Sequence, residues 1–262
     1  MLQTLHLDGA AAPVAVLLEG PALRLRRPEA ADRFAPLAGL ARVTVHGPRV
    51  HWRPEALLAC LEAGIPVVFL AARGTLAGVL VPSRPPRQRA DLAGLLDLAA
   101  SMPGFRGRLE DFCRAARCGA AQAAVRGLGL GADETRQAPR RLVEAALAEA
   151  AAPEAAQAAL RALKALAGAA VAAALARRGV GPHFLARRTG AFPLPEMLGE
   201  ALLWHTWPAC RQAVAKARGD EARGLDIASR HALIHAFESA DPDGVIDRLL
   251  ARLAVTLASE MV

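Results

Sequence analysis

Between Arg42 and Pro82 the chain reads RVTVHGPRVHWRPEALLACLEAGIPVVFLAARGTLAGVLVP, and the order of elements in this stretch limits the fold more than any other part. Val43, Val45 and Val50 are β-branched residues on either side of a Gly47-Pro48 turn, which predicts two strands. Pro54 stands one residue inside a helix start, where its missing N–H leaves nothing unsatisfied. Leu57, Leu58 and Leu61 form a helical stripe, and Gly64 ends it. Ile65 to Leu70 is an unbroken apolar strand. Arg73-Gly74-Thr75 then turns the chain into a last strand, Leu76 to Val81.

The rest of the chain divides around this stretch. Leu2 to Leu7 alternates like a strand, with Asp8-Gly9 as its turn. Val14 to Leu18 and Ala22 to Arg26 pair around Glu19-Gly20-Pro21. Residues 83–89, SRPPRQR, are a basic, proline-rich linker, beyond which the apolar period becomes helical. Helices are predicted from Leu92 to Leu98, Arg108 to Gly127, Arg141 to Ala150, Glu154 to Arg178, Leu194 to Arg218, Ile227 to Phe237 and Asp243 to Ser259. The predicted fold class is α+β: a small N-terminal β-sandwich-like domain over 1–82, the linker 83–89, and a larger all-α domain over 90–262.

The chain carries 32 Lys plus Arg against 25 Asp plus Glu, a formal net charge of +7. One reading is an arginine-rich coding bias, which the alanine-rich runs and the absence of Tyr support. The other is nucleic-acid binding. Cys60, Cys113, Cys118 and Cys210 contain no CxxC pair and read as reduced thiols in a cytoplasmic protein, with Cys60 in the core. No N-terminal signal sequence is visible. Ala165 to Ala176 is strongly apolar, yet shorter than a bilayer span and flanked by Lys164 and Arg177, so a buried helix is expected and no membrane.

Three pieces of the first domain occur together and in order: Val43-Thr44-Val45-His46-Gly47, then Gly64-Ile65-Pro66-Val67-Val68-Phe69, then Gly74-Thr75-Leu76-Ala77-Gly78-Val79-Leu80-Val81-Pro82. In this the chain resembles the CRISPR spacer-acquisition integrase family, the first of the Cas proteins. A small β-domain, a short linker and a larger helical domain is also that family's layout. Arg178-Gly179-Val180-Gly181-Pro182 is similar to the family's GLDP turn, with Gly179 as a left-handed C-cap and Gly181 where the family has Asp. The resemblance implies double-stranded DNA (prespacer and repeat) as substrate, and a homodimer formed through the β-domain or a heterodimer with an active paralogue. It further implies the second Cas protein as a partner, and Mg or Mn held by a Glu, a His and an Asp.

The matching positions depart from that pattern. Glu144, in Leu142-Val143-Glu144-Ala145-Ala146, is the nearest match to the Glu motif but lacks its glycine. His183 comes several residues early, and Arg187 or Arg188 falls where the His is expected. Glu196 stands in place of the Asp, one methylene longer. Each has an ordinary reading too: a solvent-facing charge for Glu144, a helix-end or DNA contact for His183, and an acidic first-turn residue for Glu196. The expectation is a divergent DNA-binding integrase subunit or scaffold with impaired catalysis, holding Mg or Mn if it is active and no metal otherwise. The alternatives are an active metal-dependent endonuclease/integrase and a stand-alone nucleic-acid-binding regulatory module.

Candidate DNA contacts are Arg84, Arg87 and Arg89 in the linker and Arg177, Arg178, Arg187 and Arg188 around the GVGP turn, since arginine clamps phosphates without reading sequence. His231, His235 and Glu238 share one helical face, which suits a metal or an ordinary polar surface. Asp226 is placed to cap that helix, and His205 is a further isolated candidate.

Overall fold

The structure is a computed structural model that describes residues 3–10, 12–71, 75–82, 90–129, 137–185, 192–220 and 224–260. Among the described residues, eight strands, a one-turn 3-10 helix (Leu37–Gly39) and one α-helix make the first domain: β1 (Gln3–Asp8), β2 (Val14–Glu19), β3 (Ala22–Arg26), β4 (Arg33–Pro36), β5 (Leu40–His46), β6 (Val50–Trp52), α1 (Pro54–Glu62), β7 (Val67–Leu70) and β8 (Leu76–Leu80). One sheet runs β1-β5-β7-β8, with β1, β5 and β7 parallel and β8 antiparallel to β7. The other runs β4-β3-β2-β6. The strands on either side of Gly47-Pro48 therefore do not pair with each other. The turn carries the chain from one sheet to the other. Gly47 has φ +77° and a Cβ there would lie 2.8 Å from the Ala10 nitrogen, so no other residue fits.

Alternation decides what each strand buries. Leu7, Val43, Val45 and Val67 face Val14, Val16, Leu23 and Leu25 of the second sheet, and α1 closes that core with Ala56 and Cys60. The leucine stripe expected on α1 is only half right. Leu58 is exposed, and the small residues Ala56 and Cys60 are the ones pressed against the sheets. Strand β4 was not foreseen; its RFAP sequence has no alternating apolar pattern, and it is added to β3 as an edge.

The second domain is helical: α2 (Ala90–Ala100), α3 (Phe105–Gly127), α4 (Ala138–Glu149), α5 (Pro153–Arg177), α6 (Pro182–Leu185), α7 (Leu194–Ala215), α8 (Ile227–Ser239) and α9 (Pro242–Glu260). A two-residue ribbon, β9 (Gly219–Asp220) with β10 (Gly224–Leu225), is the unpredicted exception. The fold class is thus α+β, as the change of period indicates. Asp226 caps α8 through the Ser229 N–H at 2.7 Å, as its position suggests. Helix α5 is long and apolar enough to cross a membrane, but it is buried along most of its length inside the protein. It is the axis of the domain. Ala165, Ala169 and Ala173 pack under Val68 and Leu70 of β7, joining the two domains.

Helix α5 ends as its sequence indicates. Gly179 has φ +73°, its N–H reaches the Ala176 carbonyl at 3.0 Å, and the Val180 N–H reaches Leu175 at 3.1 Å. That is a Schellman cap. Gly64 ends α1 the same way, with Ile65 bonded to Cys60 at 2.8 Å.

Helices α5 and α7 cross where two glycines meet. A Cβ on Gly199 would lie 3.0 Å from the Gly168 backbone. Gly199→Val is expected to cost about 1–3 kcal/mol through overpacking. Gly119→Ala, on α3 with nothing within 4 Å, is expected to stabilise by about 0.5–1 kcal/mol. Urea unfolding of both variants checks the pair, and a neutral Gly199→Val would refute the close crossing.

Candidate nucleic-acid interface

The outer face of the first sheet is polar where it meets α8 and α9. Thr4, His6 and Asp8 on β1 stand beside Arg42, Thr44 and His46 on β5. Arg42 is 1% exposed and donates to Asp243 of α9 at 2.8 Å and to Glu238 of α8 at 3.0 and 3.3 Å. Glu238 also accepts from Thr4 at 3.2 Å and pairs with His6 at 3.1 Å. His6 in turn lies 3.2 Å from His46. At the sheet's end Arg230 of α8 donates to both oxygens of Asp8, at 2.7 and 2.6 Å. Burial would raise the Glu238 carboxyl, but the His6 hydrogen bond and the Arg42 charge outweigh it and hold the group below its ordinary value.

This seam accounts for several residues that the sequence assigns elsewhere. Arg177 donates to the Ala41 carbonyl at 2.8 Å and to Asp243 at 3.4 Å. Arg178 is buried and held by the Ala174 carbonyl at 3.0 Å and by Asp247. Both guanidiniums have partners within the chain. Of the suggested metal face on α8, His231 and His235 are exposed while Glu238 is turned to the β-domain. His205 is exposed on α7; burial and the nearby Arg248 and Arg252 hold its imidazole below its ordinary value, and those cations oppose a metal ion there.

Glu144 is exposed on α4, in an i,i+4 ion pair with Arg140 at 2.6 Å. Glu196 is half-buried in the first turn of α7. The His183 backbone begins α6, and its side chain lies outside the described residues. Arg84, Arg87, Arg89, Arg187 and Arg188 also lie outside them. Among the described residues, no three His, Cys, Asp or Glu side chains converge as a metal site.

The structure does assemble a charged cluster whose carboxylate and lysine sequence reasoning missed. Glu200, one turn beyond Glu196 on α7, accepts from Lys164 of α5 at 2.6 Å and from Arg117 of α3 at 2.9 Å. Burial would raise its carboxyl, but Lys164 and Arg117 hold it below the ordinary carboxylate value. A usable signal was present: Lys164, one of the chain's two lysines, interrupts an alanine-rich helix.

No protein family's sequence profile matches the chain, and no curated protein matches it. Solved structures do. A Cas1 protein from Thermotoga maritima superposes with a TM-score of 0.74 at 11% identity, covering 97% of this chain and 96% of that one. This is the Cas1 fold. A casposase bound to integration product matches with a TM-score of 0.71 at 11% identity, over 99% and 91% of the two chains. A Cas1–DNA complex, TtCas1, matches at 0.59 and 19% identity, over 98% and 91%. The Cas1-like chain is thus a divergent one, and the order of motifs in its β-domain pointed to the right fold.

The seam makes two measurable claims. Arg42→Ala leaves Glu238 and Asp243 without their central cation and is expected to cost about 3–5 kcal/mol in urea unfolding. His46 is pushed down to about 3, by burial first and then by His6. Its folded form binds fewer protons than the unfolded one, so stability is retained above the unfolded value of 6.5 and lost as pH falls towards 3. The loss from this residue is at most about 1.4 kcal/mol per pH unit. His46→Gln should flatten the decline between pH 6.5 and 5, and an unchanged decline would remove His46 as its source.

Proposed function

We propose that this chain is a DNA-binding subunit of a CRISPR-adaptation or integrase-like machinery, with impaired catalysis. The observation that carries the reading is whole-length agreement with Cas1 and casposase structures, two of them solved with DNA or integration product. The net charge of +7 supports a polyanionic partner. One further structure with this fold is a Cas6-RT-Cas1–Cas2 complex, of whose chain this one covers 36%, which supports the second Cas protein as a partner.

Impairment rests on the donor set. An integrase metal site needs hard oxygen ligands that are free to coordinate. Glu144 is neutralised by Arg140, and the half-buried Glu200, one turn further along α7 than Glu196, is neutralised by two cations. These carboxylates do not fit Mg or Mn. The active-integrase reading keeps one supporting observation, that Glu196 stands half-buried in the first turn of α7. Homodimerisation through the β-domain is part of the proposal, with Phe34 at 56% exposure on the edge strand β4 as a contact surface.

Strand transfer from a duplex prespacer into repeat DNA, with manganese, is expected to be absent, while DNA binding is retained and unaffected by a chelator. Robust transfer abolished by Glu144→Ala, His183→Ala or Glu196→Ala would instead establish an active integrase. Light scattering is expected to give a mass near twice 27.4 kDa. A strict monomer at high concentration would refute the dimer.

A further inference from the structure

Resting on the DNA-binding reading, we propose that Lys164 and Arg117, held by Glu200 where α3, α5 and α7 meet, form a clamp for the phosphate backbone of duplex DNA. Two cations from different helices converge on one carboxylate, at 2.6 and 2.9 Å, and leave the cluster with an excess positive charge. The side chains are reachable, with Lys164 54% and Arg117 41% exposed.

The positive surface continues on both sides. Arg161 stands one turn before Lys164 on α5, and Arg114, which pairs with Asp111, one turn before Arg117 on α3; both are exposed. Residues three apart share a helix face. Glu200 holds the cations at the spacing of two carboxylate oxygens, which is close to that of two phosphate oxygens, so less ordering is left to pay for on binding.

A purely structural ion pair is the competing account. Half-exposed pairs contribute little to stability, and these helices are already joined by the Gly168–Gly199 contact and a large apolar core. The two accounts differ for Glu200. A clamp gains from losing its internal competitor, whereas a structural tie loses.

The test is fluorescence anisotropy of a short random-sequence duplex against a salt series, for the full chain and for Lys164→Gln, Arg117→Gln and Glu200→Gln, each with its melting temperature. Each cation variant should bind several-fold more weakly and lower the log–log salt slope by about 0.9 per lost contact. Glu200→Gln should bind more tightly. Wild-type affinity and slope in a folded Lys164→Gln would overturn the clamp, and so would Glu200→Gln binding more weakly in step with lost stability. If Arg117→Gln fails to fold, the half-exposed Lys164→Gln decides alone. Absence of wild-type binding at the lowest salt would overturn the clamp and the DNA-binding reading together, whereas binding with unchanged slopes overturns the clamp only.

Discussion

Arg42 sits in the middle of a parallel strand at 1% exposure, and a charge in that position is tolerated only if carboxylates reach it. The carboxylate that β1 carries on that face, Asp8, is held by Arg230 at the far end of the sheet. Those that reach Arg42 come from Glu238 and Asp243, some two hundred residues later, at the end of α8 and the start of α9. The sheet therefore needs the helices in order to bury its polar side, and the helices need the sheet to occupy theirs. Beside this polar seam lies an apolar one, with Val68 and Leu70 on alanines of α5. The first gives orientation through directed hydrogen bonds, the second close approach through small side chains.

This division explains which parts of the fold were legible in the sequence. Local signals were sound. Gly64 and Gly179 end their helices with left-handed caps, Asp226 caps α8, and the Ile65–Leu70 run is unbroken because that strand is covered on both faces. The seam was not legible, because an arginine between Ala41 and Val43 reads as a solvent-facing residue until a partner from far along the chain is placed beside it. Arg177 and Arg178 were assigned to DNA for the same reason: in sequence they flank a turn next to two further arginines, and in space Arg177 reaches the Ala41 carbonyl of β5 while Arg178 reaches Asp247 of α9. The Leu58 error has a simpler cause. A short helix lying over two sheets leaves room for Ala56 and Cys60 at its closest approach and turns a leucine outward.

The site itself was legible only in outline. The motif order identifies the fold, but Glu144 spends its charge on a neighbouring arginine of its own helix. The carboxylate that the helical domain does enclose is Glu200, and it is enclosed by cations. This centre is balanced by Lys164 and Arg117. Such a centre can position phosphates, which needs fixed positive charge, without the ligand geometry that phosphoryl transfer demands.

The central claim is that the arginines at the end of α5 are held within the fold, Arg177 across to the β-domain and Arg178 to α9, and do not contact DNA. Its most direct test is the double variant Arg177→Ala/Arg178→Ala, followed both by urea unfolding and by the salt dependence of DNA binding. The account predicts a clear loss of stability with a wild-type salt slope. Unchanged stability with a flattened slope would contradict it and return these residues to the DNA surface.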